Sequence, residues 1–151
     1  MHAAVCFDDG VIVTTGGKST GNSVKSEVHS TTAGGSTALT LVVQMTFTAR
    51  YGHAIARVLG DSNAFLVVAG RSTGEVDLND ALLSTNRGVS FATTSISVFT
   101  GARQKSGLVA MDTISFIAFG GQGGAATYHN EVRKSINAGA TWTTLRADGG
   151  G

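Results

Sequence analysis

Three short apolar runs set the rhythm of this chain: Val11-Ile12-Val13-Thr14-Thr15, Ala64-Phe65-Leu66-Val67-Val68 and Ile114-Ser115-Phe116-Ile117-Ala118-Phe119. They are continuous rather than alternating, rich in β-branched and aromatic residues, and too short for buried helices. Each reads as a strand covered on both faces. Each is followed by a pair of small residues, Gly16-Gly17, Ala69-Gly70 and Gly120-Gly121, where the strand is expected to end. A second shared pattern follows: Ser84-Thr85-Asn86-Arg87-Gly88-Val89-Ser90-Phe91 and Ser135-Ile136-Asn137-Ala138-Gly139-Ala140-Thr141-Trp142. A weaker copy, Ser30-Thr31-Thr32-Ala33-Gly34-Gly35-Ser36-Thr37, stands in the first part of the chain.

Similar features recurring in order about every fifty residues mark a repeat protein. The repeats fall at approximately 1–50, 51–103 and 104–151 of one β-propeller segment. In the second, strands are expected near 53–58, 64–69, 79–84 and 91–99. The predicted fold is all-β: three four-stranded antiparallel sheets, about twelve strands and almost no helix, the blades of half a six-bladed propeller. The eight-residue pattern reads as a hairpin turn. Asn86 and Asn137 accept backbone N–H bonds two residues on, Gly88 and Gly139 tolerate positive φ, and Phe91 or Trp142 packs back over the turn. Ser84, Ser135 and Thr141 complete the set of structural turn residues, and Trp142 is expected to be largely buried.

This pattern resembles the Asp-box of sialidases and related propellers, Ser-x-Asp-x-Gly-x-Thr-Trp, with Asn86 and Asn137 where that family usually has Asp. The front of the second repeat, Arg50-Tyr51-Gly52-His53, the strand ending in Ala69-Gly70, and Leu78-Asn79-Asp80 resemble a kelch repeat. The third repeat matches through Gly120-Gly121 and Asn130-Glu131-Val132, but its front, Arg103-Gln104-Lys105-Ser106, lacks the Gly-His pair. The first opens at Met1-His2, within that pair. This opening and the glycine-rich tail 147–151 lead to the expectation of a fragment of a longer chain.

Composition narrows the function classes. The chain is 42% hydrophobic and 14% charged, with 21 glycines, no proline and a formal net charge of +1. No apolar run reaches the length of a membrane span, and no basic stripe points to nucleic acid. The single cysteine, Cys6, allows no disulfide within the chain and sits in the run Ala3–Phe7, where it reads as a buried small hydrophobe. No metal-ligand or cofactor-binding spacing is present among His2, His29, His53, His129 and Cys6, so neither metal nor cofactor is expected. Gly120-Gly121-Gln122-Gly123-Gly124 follows a strand but no helix pattern and no Lys-Ser/Thr completes it, so it reads as a turn.

His2 and His53 occupy equivalent positions and are expected to share an inner-strand hydrogen bond; Arg50 and Arg103 are equivalent and read as structural. The resemblance to sialidases would imply an arginine cluster, a Tyr with a nearby Glu and an acidic general acid. Glu27, Glu75, Asp77, Asp80 and Glu131 are expected in or beside loops, and no two pair as catalytic carboxylates. No catalytic residue is assigned. Function is expected to be non-catalytic: a scaffold presenting the loops Lys18–Val24, Arg71–Leu78 and Gln122–His129 to a protein or carbohydrate ligand, with part of a sialidase-like enzyme as the alternative. Three blades leave two bare end faces, so self-association as a six-bladed dimeric ring is expected, unless the chain continues into further blades. The compartment is not legible.

Overall fold

The computed structural model describes residues 2–35, 38–43 and 47–149. They form thirteen strands and single 3-10 turns at Ala33–Gly35 and Gly124–Ala126, with no α-helix among the described residues. The first sheet holds β1 (Ala3–Cys6), β2 (Ile12–Lys18), β3 (Val24–Ser30) and β4 (Thr40–Val43) in that order. The second holds β5 (Arg50–Tyr51), β6 (Ala54–Arg57), β7 (Phe65–Ser72), β8 (Asp77–Ser84) and β9 (Ala92–Ser95). The third holds β10 (Gly107–Ala110), β11 (Phe116–Phe119), β12 (Val132–Ser135) and β13 (Thr143–Arg146). All pairings are antiparallel between neighbours in sequence, apart from the extra two-residue strand β5, which shares β7 with β6. Strand β6 lies against both β1 and β10, so the first long strands of the three sheets run side by side. The sheets are propeller blades.

The two cores lie between blades, and the middle blade divides its side chains between them by simple alternation. Phe65 and Val67 of β7 meet Val5, Phe7, Val13 and Val28 of the first blade. Leu66 and Val68 meet Phe116 and Ala118 of the third, together with Val98 and Phe99. The continuous apolar run of β7 thus serves two junctions. The outer blades repeat the pattern with one face unmatched: Ile12 and Thr14 of β2 are only half-buried, and Ile117 and Phe119 of β11 are half-buried and exposed. Cys6 belongs to such a face. It pairs with Ile12 on β1–β2 and is exposed, contrary to the expectation of burial, because no sheet among the described residues covers that side of the first blade.

The small-residue pairs are not strand ends in the first two blades. β2 and β7 continue past them to Lys18 and Ser72, with register shifts at Thr15/Gly17 and Val68/Gly70. They are β-bulges. The first residue of each pair is left-handed (Gly16 φ 54°, Ala69 φ 57°, Gly120 φ 62°) and the second has φ 116°, 107° and 110° at Gly17, Gly70 and Gly121. A Cβ on Gly70 would lie 2.9 Å from the Cβ of His53, and one on Gly121 2.8 Å from the Gln104 carbonyl oxygen. Glycine is required there by both conformation and space. The fourth strand of the second blade is also shorter than the expected 91–99. Val98 and Phe99 leave the sheet to enter the core, with the Asn79 carboxamide holding both the N–H and the C=O of Phe99.

Candidate binding rim and the residues that hold it

The eight-residue pattern closes two hairpins by the same bonds. Ser84 Oγ, buried, accepts from the N–H of Gly88 at 2.8 Å, and Ser135 Oγ from that of Gly139 at 3.0 Å. Asn86 Oδ1 accepts from the Ser90 N–H and Asn137 Oδ1 from the Thr141 N–H, each at 2.9 Å. The asparagine therefore reaches four residues on rather than two, because the serine already holds the nearer N–H groups. Arg87 and Ala138 share the left-handed region with the glycines that follow them. Those glycines also admit the preceding blade: a Cβ on Gly88 would meet Val28 Cγ1 at 2.7 Å, and one on Gly139 Leu66 Cδ1 at 2.9 Å. Phe91 and Trp142 are half-buried, and the Trp142 indole N–H donates to the Gly139 carbonyl at 3.0 Å. Trp142 is less buried than expected because it lies toward the outer edge of its blade. Of the weaker copy, Ser36 and Thr37 lie outside the described residues.

These contacts set expected costs. Ser135→Ala strands a buried N–H and should lose about 1–2 kcal/mol. Exposed Asn137→Ala should lose about 1 kcal/mol. Trp142→Ala should lose about 2 kcal/mol, below the value for a fully packed ring. Urea midpoints of the three variants check this order.

Behind the hairpins, each entering arginine is clamped to an acid of its own blade, Asp80 within the third strand β8 and Glu131 immediately before the third strand β12. Arg50 forms two bonds to Asp80, at 2.6 and 2.7 Å, and donates to the Ala69 carbonyl at 3.0 Å. Arg103 donates to Glu131 at 2.7 Å and to the Gly120 carbonyl at 3.3 Å. Each guanidinium thus ties the entry segment, the bulge and the third strand together. Asp77 opens β8 beside its loop, as expected, whereas Asp80 lies within β8 and Glu27 within β3. Glu27 stands where Asp80 does in its blade, and is paired with Lys25 at 3.7 Å and His29 at 4.0 Å.

The equivalent histidines use different partners. His2 Nδ1 bonds the Gly16 carbonyl of its own blade at 2.7 Å. His53 Nε2 bonds Thr15 Oγ1 of the preceding blade at 2.8 Å, and its Nδ1 is buried without a partner. Burial, with Arg50 nearby, pushes the His53 pKa down to about 3. Below pH 6.5 the unfolded chain binds a proton that the folded chain refuses, so stability should fall as pH drops from 6.5 toward 3, by about 1 kcal/mol per unit. Urea titrations at pH 7 and pH 5 should show this loss, and His53→Gln should remove most of it.

On the loop side the second blade presents a charged cluster. Glu75 accepts from Tyr51 Oη at 2.7 Å, Lys18 Nζ at 3.1 Å and Arg71 at 3.2 Å. Arg71 also forks onto Asp77 at 2.6 and 3.0 Å. The phenol and the two cations hold Glu75 down at about 2. Burial and the adjacent carboxylate push the Tyr51 phenol up, so it acts as a hydrogen-bond donor. Lys18, Arg71 and Gln122 each directly follow the small-residue pair of their blade, so the cluster is one stretch of a rim. The rim continues through the Gly52 carbonyl, which accepts from the Lys105 N–H at 2.6 Å, to Lys105 Nζ on Gln122 at 2.8 Å. Gln122 bridges to Tyr128, whose side is 80% exposed. Beyond it, His129 is bonded to Asp148.

Sequence reasoning named the three loops, beginning at Lys18, Arg71 and Gln122, but missed that Tyr51 and Lys105 join them. The Tyr51–Glu75 pair has the composition that the resemblance to sialidases would imply, while Arg50 and Arg103 are wholly buried in their ion pairs. Among the described residues no three His, Cys, Asp or Glu side chains converge as metal ligands.

No family model matches the chain and no curated protein matches it in sequence. Among solved structures, its fold is similar to the structure of YjhT, with a TM-score of 0.72 and 10% identity over 96% of this chain. The match covers 45% of that chain, so this chain spans less than half its length, and the likeness is one of fold.

Proposed function

We propose that this chain is a non-catalytic binding module of kelch and Asp-box character, whose rim of Lys18, Arg71, Glu75, Lys105, Gln122 and Tyr128 takes a polar ligand, a protein loop or a carbohydrate. The observation that carries this reading is the continuity of the rim. Repeat-equivalent positions from all three blades are joined by side-chain and backbone bonds and end at an exposed tyrosine. An aromatic face beside amides and paired charges on a rigid β-scaffold suits multivalent polar recognition. The kelch reading is supported by the buried Arg50 and by the bulged Ala69-Gly70 pair; the Asp-box reading is supported by the Ser-Asn-Gly bonds of the two hairpins.

Screening the chain against a glycan array and a peptide-display library tests the proposal. Ligands retained by the wild type and lost by Tyr128→Ala and Lys105→Ala, both exposed substitutions, support it. Turnover of an aryl-glycoside panel that disappears in Tyr51→Phe would overturn it in favour of a carbohydrate-active enzyme.

A further inference from the structure

The two end faces on which no blade packs among the described residues are not merely apolar; they are the counterparts of the two sides of the junction found twice between its blades. Counting from the small-residue pairs, Ile117 and Phe119 of β11 stand where Leu66 and Val68 stand in β7, the pair that faces the next blade. Ile12 and Thr14 of β2 stand where Phe65 and Val67 stand, the pair that faces the preceding blade. The first-formed strands agree: Val109 matches Ala56, which packs toward the third blade, and Ala4 matches Ile55, which packs toward the first. So the third blade ends in a donor face and the first blade begins with an acceptor face.

Two further observations fit these faces together. Phe119 is 42% exposed, and its ring lies over Gly107, since a Cβ there would fall 2.4 Å from it. One face of the ring is thus held against its own sheet and the other is open. On the acceptor face a cleft of 380 Å³ is lined by His2, Thr14, His29 and Leu39. In the junction between the first two blades, Thr15 projects from the donor face onto His53. Phe119 is the equivalent of Thr15 and His2 the equivalent of His53, so the same geometry directs Phe119 at the wall of that cleft.

We infer that the third blade of one copy docks on the first blade of a second copy, with Phe119 seated in the cleft of His2, Thr14, His29 and Leu39, and that two such contacts close a six-bladed ring. The occupant is a second copy because its surface carries, in matching register, apolar residues at the positions that fill this place inside the chain. Doubling three blades gives six, within the known range of roughly four to eight. Two equivalent contacts related by a two-fold axis leave no donor face and no acceptor face bare. The inference rests on the blade fold and is independent of what the rim binds.

Multi-angle light scattering and sedimentation velocity from about 1 to 100 µM provide the test, with wild type, Phe119→Asp and the rim variant Tyr128→Ala. The expected result is one species at twice the 15.3 kDa chain mass for wild type and Tyr128→Ala. Phe119→Asp should stay folded by circular dichroism, since the ring is not in a core, and should weaken association by about a hundredfold or more. Reaction of Cys6 with a small disulfide reagent gives a readout within the acceptor face. It should slow as wild-type concentration rises and be independent of concentration in Phe119→Asp. A folded wild-type monomer at 100 µM, a ladder of open oligomers, or a dimer unchanged by Phe119→Asp would each overturn the inference.

Discussion

Glu131→Ala is expected to destabilise the chain by about 3–5 kcal/mol, the cost of leaving a buried charge without its counter-ion. Neither Glu131 nor Arg103 exposes any side-chain surface. The carboxylate accepts from Arg103 at 2.7 Å, Arg133 at 2.6 Å, and the Thr100 N–H and hydroxyl at 3.2 and 3.0 Å. Removing it leaves a guanidinium that stacks 4.2 Å over the Phe99 ring with only the Gly101 and Gly120 carbonyls as partners and no counter-ion. Burial alone would raise the Glu131 pKa, but the hydrogen bonds from Arg133 and Thr100 outweigh it and hold the carboxyl below its ordinary value. Burial likewise pushes Arg103 down, yet a guanidinium stays protonated at any working pH, so the pair is charged on both sides. The depressed acid contributes stability that is present above its unfolded value and lost as pH falls through the folded one. Urea melts at pH 7 measure the first effect. A loss below about 1 kcal/mol would show that the pair is solvated and contributes little.

Phe65→Ala is expected to cost a similar amount, about 3–5 kcal/mol, through a cavity in the junction of the first two blades. Phe65 is fully buried and meets Phe7 and Phe91 edge-on, with ring centroids 6.3 and 5.6 Å apart. Its neighbours come from two different sheets, so neither sheet can collapse onto the space without breaking the other's register. Leu66→Ala, one residue away, opens the opposite junction instead. The pair is therefore informative together. Hydrogen exchange should speed up in β1–β3 for Phe65→Ala and in β10–β12 for Leu66→Ala. Identical exchange patterns would show that the two junctions are not separate units.

What could be read in advance follows the range of the interaction. The hairpin pattern was legible because Ser84, Asn86 and Gly88 act on one another within four residues. The double-sided burial of β7 was legible because a strand covered on both faces must be apolar throughout. Which side meets which neighbour was not, since alternation fixes two faces without naming them. Cys6 was misread for the same reason: Ala3–Phe7 is as apolar as a buried strand, and only the position of its blade at the end of the stack exposes it. The Arg50–Asp80 and Arg103–Glu131 clamps join residues 30 and 28 positions apart and carried no local signal. The rim was half-legible. Its loops stood out as polar, but Tyr51 joins it through the fold.

The left-handed pair at the same point of each blade has a consequence for how such a chain can grow. The stretch from Arg50 to Ala102 runs from one entering arginine to the residue before its equivalent, Arg103, and its two faces fit the neighbours on either side. A tandem duplication of that stretch would set the Leu66 and Val68 side of one copy against the Phe65 and Val67 side of the next, two sides that each already pack on a neighbouring blade. A gene encoding this chain could therefore lengthen by whole blades with a single new junction, between two sides already shaped to pack.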